Sequence, residues 1–223
     1  VTATALEPLH PRRLPGALHL VRHGQSTWNV LQRVQGQNDD AELTVLGREQ
    51  ASTAAQALVP HSAVRLLTSD LRRAMQTAEI IGGVTGLTPV PTALLREQGL
   101  GVIEGMGSAE AAQEWDKAAR RAYVQYGEPL PATAIRLPDG ESMRDVLGRV
   151  GGILASPWVT DATGDVIIVS HGDTIRIMLA LLLGDEFDEL QWRPVGNGEV
   201  HSIYRTLAGT VEYVTTAIAS ATA

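Results

Sequence analysis

The chain has 223 residues, 44% of them hydrophobic, and carries a formal net charge of -7 at pH 7. That length and composition suit one compact domain with a sizeable core, and the acidity argues against a non-specific nucleic-acid binder, which needs a basic surface. No cysteine is present, so disulfides, cysteine-ligated zinc and cysteine nucleophiles are excluded. Residues 1–16, VTATALEPLHPRRLPG, lack the apolar stretch of a secretory signal and read as a flexible arm. Ala17-Val21 is an apolar run best read as a strand, and it ends abruptly in Arg22-His23-Gly24. Thr44 is placed to cap a helix reaching about Leu58. Val64-Thr68 reads as a second strand. Ser69 is expected to cap the next helix, DLRRAMQTAEIIGG, which has an apolar stripe of Leu71, Met75, Ala78 and Ile81 and ends in a glycine pair.

From Gly99 to Gly140 the pattern loosens around one helical segment, Ser108-Tyr123. Glu141-Ala155 reads as a further helix, Asp165-Ser170 as a buried strand and Asp173-Leu183 as an apolar helix. Val200-Thr206 and Val211-Thr215 read as a closing hairpin, and residues 217–223 as a flexible tail. Strands alternating with helices predict an α/β fold, a three-layer α/β/α sandwich around a mostly parallel sheet. It would occupy residues 17–216, with a small cap from about 106 to 140 over the C-terminal strand ends. No run approaches the roughly 20 apolar residues of a spanning helix, so no membrane partner is expected and the expected location is cytoplasmic.

The same pattern occurs at two strand tips. LHLVRHG runs strand, His23, glycine, and VIIVSHG runs strand, His171, glycine, then a helix. In an open α/β sheet the carboxyl ends of the strands line the ligand crevice. If the two strands are parallel neighbours, His23 and His171 meet there. Gly24 and Gly172 would let backbone approach a ligand, and the helix N-termini beyond them offer N–H groups to an anion. TSDLRRAMQTAEII adds Arg72 and Arg73 in the first turn of a helix, where cations oppose the helix dipole and call for a compensating anion; Arg72 is taken as the solvated member. LLREQGLGVIEGM supplies Glu97 and Glu104. Lys117 is the only lysine among 18 basic residues, and G-x-x-x-x-G-K-[ST] is absent, which excludes a P-loop.

RHGQSTWN, LTVLGREQA, TSDLRRAMQTAEII, LREQGLGVIEG, PDGES and VSHGDTIR together resemble the histidine phosphatase superfamily, in its phosphoglycerate-mutase-like branch. The resemblance covers roughly Leu18 to Leu207. It implies that His23 is the nucleophile, becoming a phosphohistidine. Arg22, Arg73 and His171 would hold the phosphoryl oxygens, and Glu97 would give the leaving oxygen its proton. Asn29 would be a secondary phosphate contact, and Gln35 and Gly36 would border the substrate. No cofactor and no metal is implied. Such chemistry asks for a neutral His23 whose second ring nitrogen donates to a fixed acceptor, expected to be a backbone carbonyl, and for a Glu97 that can start protonated.

Two departures from the family pattern carry information. The stretch after Glu97 lacks the tyrosine and lysine of the mutases and is similar to the phosphatase pattern L-R-E-x-x-x-G-x-x-E-G, which favours hydrolysis. The loop Gln37-Glu42 is one residue longer than usual and lacks its proline. The expected reading is a metal-independent phosphomonoester hydrolase for a small phosphorylated metabolite, acting as monomer or homodimer. Its alternatives are a phosphoglycerate mutase and a non-catalytic phosphate-binding protein. A metal hydrolase is disfavoured because His10, His19, His61 and His201 show no ligand spacing. The cap segment is expected to roof the pocket. Within it Trp115 and Tyr123 suit the buried face of a helix, and Arg120, Arg121 and Arg136 a solvated one.

Overall fold

A computed structural model of the chain describes residues 16–189, 193–205 and 210–216. The expected arm and tail lie outside these residues, apart from Gly16. The sheet forms because its strands are short apolar runs. β1 (Leu18–Arg22), β2 (Ala63–Ser69), β3 (Pro89–Thr92), β4 (Asp165–Ser170), β5 (Val200–Arg205) and β6 (Val211–Thr216) pair in the order β3-β2-β4-β1-β5-β6. The first four in that order are mutually parallel, and β5 runs against both of its neighbours. β4, at the centre, has Val166, Ile167, Ile168 and Val169 all at most 2% exposed. Each such buried side chain contributes about 1.5–3 kcal/mol relative to exposure.

Helices cover both faces. α1 (Thr27–Val30) is a single turn, and α2 (Val45–Leu58) and α3 (Arg72–Thr85) follow it. α2 and α3 pack Ala54, Leu58, Ala78 and Ile81 against Val21, Ile167 and Val169 on one face. After the cap helix α4 (Ser108–Tyr126) come α5 (Met143–Leu154), the short α6 (Pro157–Thr160) and α7 (Gly172–Leu183). On the other face α5 and α7 pack Val146, Val150, Ile175 and Met178 against Leu18, Leu20 and Ile168. The excursion has a small core of its own, in which Ile103, Ala111, Ala118, Ile135 and Leu137 gather with Trp115. No helix among the described residues is long and apolar enough to cross a membrane.

The parallel pairing of β1 with β4 (Leu20 opposite Ile168, Arg22 opposite Ser170) brings the two His-Gly tips side by side. The helices that follow them pack on opposite faces, α2 with one cluster and α7 with the other. Two neighbouring parallel strands whose following helices diverge leave a crevice between their carboxyl ends.

One local expectation holds and others change. The Thr44 side chain caps α2, accepting from the Gly47 N–H at 3.0 Å. Ser69 does not cap α3: the N-cap is Leu71, without a side-chain bond. The Ser69 hydroxyl instead accepts from the Leu71 N–H and reaches His171. α3 does not stop at Gly82-Gly83. It runs on to Gly86, whose φ of 75° ends it in the left-handed conformation. Met75 is only half-buried. β3 went unread because PVPT carries two prolines. It lies at the sheet edge, where a missing N–H is tolerated.

The turn after β1 crosses the start of α2 at the limit of contact. A Cβ on Gly24 would lie 2.0 Å from the Gly47 carbonyl oxygen, and one on Gly47 2.0 Å from that of Gln25. Gly24 is therefore required by this crossing in its own right. Gly47→Ala should destabilise the protein by about 3 kcal/mol, although alanine is the better helix former. Urea denaturation of the variant measures that loss.

Candidate active site

The crevice is built from β1 outward. The His23 N–H donates to the Ser170 carbonyl at 3.0 Å, which locks the exit of β1 to β4. The His23 ring is buried, with Nδ1 2.8 Å from the Gly24 carbonyl oxygen. Because that oxygen can only accept, Nδ1 carries the proton and Nε2 keeps its lone pair. His171 is fully buried, its Nε2 lies 2.9 Å from Ser69 Oγ, and its ring centroid is 5.1 Å from that of His23.

Two guanidiniums enter the same space. Arg73 is fully buried and donates from Nη1 to the Asn38 carbonyl (2.9 Å) and from Nη2 to the Gly36 carbonyl (2.8 Å). Arg22 donates from Nη1 to the Val195 carbonyl at 2.5 Å. Among the described residues neither arginine forms an ion pair. Burial lowers both pKa values, that of Arg73 to about 10. Burial first, then the charges of Arg73 and Arg22, hold the His23 imidazole well below 6.5; burial, then Arg73, the His23 ring and Arg22, do the same to His171. Among the described residues, three buried nitrogens here have no partner: Arg22 Nε, Arg73 Nε and His171 Nδ1.

Glu97 sits at the start of α7. Its Oε1 accepts from the Thr174 N–H and hydroxyl (both 3.1 Å) and from the Gln98 N–H (3.0 Å), and its Oε2 from the Asp173 N–H (3.2 Å). Its backbone is clamped as well. Gln37 Nε2 and Arg149 Nη2 donate to the Glu97 carbonyl, and both also bind the Glu141 carboxylate. That carboxylate further accepts from the Gly99 N–H. Arg96 forms a two-point ion pair with Asp70 at 2.7 Å, tying the Glu97 segment to the turn before α3.

The other expected residues fall around this centre. Asn29 Oδ1 accepts from the Ser26 N–H and hydroxyl and from Asn197 Nδ2, so the amide donors are what Asn29 can offer a ligand. Gln35 Oε1 accepts from the Ser26 hydroxyl at 2.9 Å. Gly36 has φ of 49°, and a Cβ there would meet Glu104 Oε1 at 2.1 Å. Glu104 in turn accepts from the Gln37 and Leu100 N–H groups. Gly172 opens α7 with Arg22 and Arg176 beside it.

A model of the histidine phosphatase superfamily (branch 1) matches residues 18–214. The chain belongs to that superfamily. A probable phosphoglycerate mutase from Yersinia pestis is 36% identical over 167 residues, 75% of this chain and 74% of its own. The mycobacterial glucosyl-3-phosphoglycerate phosphatase complexed with VO3 is 30% identical with a TM-score of 0.71, covering 91% of this chain and 98% of its own. A putative alpha-ribazole-5'-P phosphatase from Escherichia coli shares the fold, with a TM-score of 0.75 at 22% identity over 90% of this chain and 96% of its own.

In this superfamily member some supporting residues escaped the sequence reading. Thr77 accepts from the Gly24 N–H, Asn197 donates to the His23 carbonyl, and Thr174 holds Glu97. Asp173 is the most consequential. Burial, then the neighbouring charge of Glu97, push its carboxyl up to about 6, while Arg176 pairs with it. Asp173 stood in the quoted VSHGDTIR motif, so an acid two residues past the second histidine was the available signal. Arg72 is not simply solvated: it pairs with Glu42 at 2.6 Å and its N–H donates to Asp39. In the cap Trp115 is partly buried as expected, whereas Tyr123 is 54% exposed, contrary to expectation, because it falls outside the stripe of Ala111 and Ala118. Arg120 and Arg121 are exposed, and Arg136 pairs with Asp145 at 2.6 Å.

These titrations fix a pH dependence of stability. His19, His23, His171 and His201 all have folded pKa values lowered by burial. The unfolded chain takes up their protons near pH 6.5 and the folded one does not. Their contribution is therefore present above pH 6.5 and lost as the pH falls below it, by about 1.4 kcal/mol per pH unit for each imidazole. Asp173, raised to about 6, acts in the opposite sense between its unfolded value of 3.8 and 6. Urea unfolding from pH 7.5 to 5.5 should show falling stability, and His23→Gln should remove one proton from that slope.

Proposed function

We propose that the protein is a metal-independent phosphomonoester hydrolase that works through a phosphohistidine at His23. The observation that carries this reading is the set of three unpartnered buried nitrogens, on Arg22, Arg73 and His171, around a neutral imidazole. A phosphate dianion supplies the acceptors these groups lack.

His23 Nε2 attacks phosphorus in line, while Nδ1–H stays on the Gly24 carbonyl. Arg22, Arg73 and His171 take up the charge spread over the non-bridging oxygens, and the Asn29 amide adds a further donor. The bond to the leaving oxygen breaks as Glu97 gives that oxygen its proton. Glu97 then takes a proton from water, whose oxygen attacks the phosphohistidine and releases inorganic phosphate and neutral His23. Burial and the neighbouring charge of Glu97 hold the Asp173 carboxyl up, at about 6, beside that acid. Gln35 and Gly36 border the substrate. The substrate is a small phosphorylated metabolite; the neighbouring phosphatase named for glucosyl-3-phosphoglycerate supports including phosphorylated sugar acids. A second reading, mutase chemistry, is favoured by the name of the 36% identical relative. It shares the first half-reaction, and in it a second hydroxyl, not water, receives the phosphoryl group.

Phosphate release from a panel of phosphomonoesters in EDTA, including 3-phosphoglycerate with a parallel assay for 2-phosphoglycerate, separates the two. Free phosphate is expected, and His23→Ala should lower its release by about 10³-fold or more. Isomerisation without release would establish the mutase. Glu97→Gln should slow alkyl esters by about 10²–10⁴-fold and aryl esters, whose leaving groups need no proton, far less. Steady-state rates on both ester types check this.

A further inference from the structure

At the opposite end of the sheet a second cluster has no part in this chemistry. His19, the second residue of β1, is fully buried. Asp165 begins β4, and His61 stands two residues before β2. No spacing in the sequence links them; parallel pairing of the three strands does. His19 Nε2 lies 3.2 Å from Asp165 Oδ2 and His61 Nδ1 3.8 Å from the same oxygen. All three donor atoms lie within 4.8 Å of one another.

We propose that His19, His61 and Asp165 bind one zinc ion at the N-terminal edge of the sheet. Zinc with nitrogen and oxygen ligands at about 2.0–2.2 Å in a tetrahedron sets its donors roughly 3.3 Å apart, close to the two separations seen. Two imidazoles and one carboxylate form a donor set suited to zinc, with the fourth position left for water. The surroundings are those of a metal site too. His19 Nδ1 is 2.8 Å from Ser202 Oγ, and Asp165 Oδ1 accepts from the Ala17 N–H at 2.8 Å. Such outer contacts orient an imidazole and a carboxylate toward a metal. The two imidazole rings lie 4.3 Å apart with the Tyr204 ring beside both. With the metal bound, the His19 proton resides on Nδ1 and donates to Ser202, freeing Nε2. His61 and Asp165 have side chains 29% and 18% exposed, so the site opens to solvent. The ion would clasp β1, β4 and the entry to β2, about 13 Å along β1 from His23. It would serve stability, independently of how the crevice acts.

The test uses untagged full-length protein, stripped with EDTA and gel-filtered. Titration with Co²⁺ should give visible d–d bands that saturate at one equivalent, and Zn²⁺ should displace the Co²⁺. Zinc at a hundred times its Kd should raise Tm by about 5–10 °C. His61→Ala, at a partly exposed position that leaves the core intact, should weaken binding by about 100-fold or more, and Ser202→Ala by about 10–100-fold. Hydrolysis rates in EDTA should be unchanged in His61→Ala. Absence of one-equivalent binding in the wild type would overturn the proposal. So would binding that persists unchanged in His61→Ala, because the metal would then sit elsewhere.

Discussion

The structure depends on holding two guanidiniums out of water with no carboxylate against them. Removing an unpaired charge from solvent costs several kcal/mol per ion, and Arg73 is wholly buried. The fold meets that cost with backbone carbonyls: Gly36 and Asn38 for Arg73, Val195 for Arg22. Carbonyl dipoles stabilise a cation without cancelling it, and the charge of Glu97 acts on both guanidiniums without an ion pair. The neutrality of His23 and His171 follows from burial and from the same cations, since each ring sits beside both arginines. One arrangement thus leaves buried donor nitrogens unspent and keeps the His23 imidazole unprotonated.

The carboxylates are kept at the margin. Glu97 accepts from the first N–H groups of α7, which anchor its side chain at the helix start. Glu141 does not reach the arginines of the crevice. It is spent on Arg149, Gln37 and the Gly99 N–H, which together fix the Glu97 backbone. Asp70 is likewise occupied by Arg96. If any of these acids paired with Arg22 or Arg73, the anion site would be closed from within.

Much of this was legible in the chain. Apolar runs ending in His-Gly marked β1 and β4, and their juxtaposition followed from the rule for open sheets. The Nδ1 contact of His23 with a backbone carbonyl was expected from its chemistry. What escaped was of two kinds. Short elements left little periodicity to read: α1 and α6 have four residues each, and β3 is masked by its prolines. Side-chain pairs from distant segments, such as Asp70 with Arg96 or His19 with Asp165, exist only once the strands are registered. Ser69 shows a third reason. A serine before a helix is a good cap by local rules, yet tertiary contact with His171 takes its hydroxyl.

The loop after Gly36 divides into two parts with different freedoms. Residues 36–38 give carbonyl oxygens to Arg73, while Asp39 and Glu42 give side chains to Arg72 at the surface. A residue inserted before Asn38 would pull the guanidinium off its carbonyls; one inserted beyond it only rearranges a solvated ion pair. The inner part is therefore closed to change in length and the outer part is free to drift. A change of length in the outer part would reshape the loop beside the crevice and leave the carbonyl cradle of Arg73 in place.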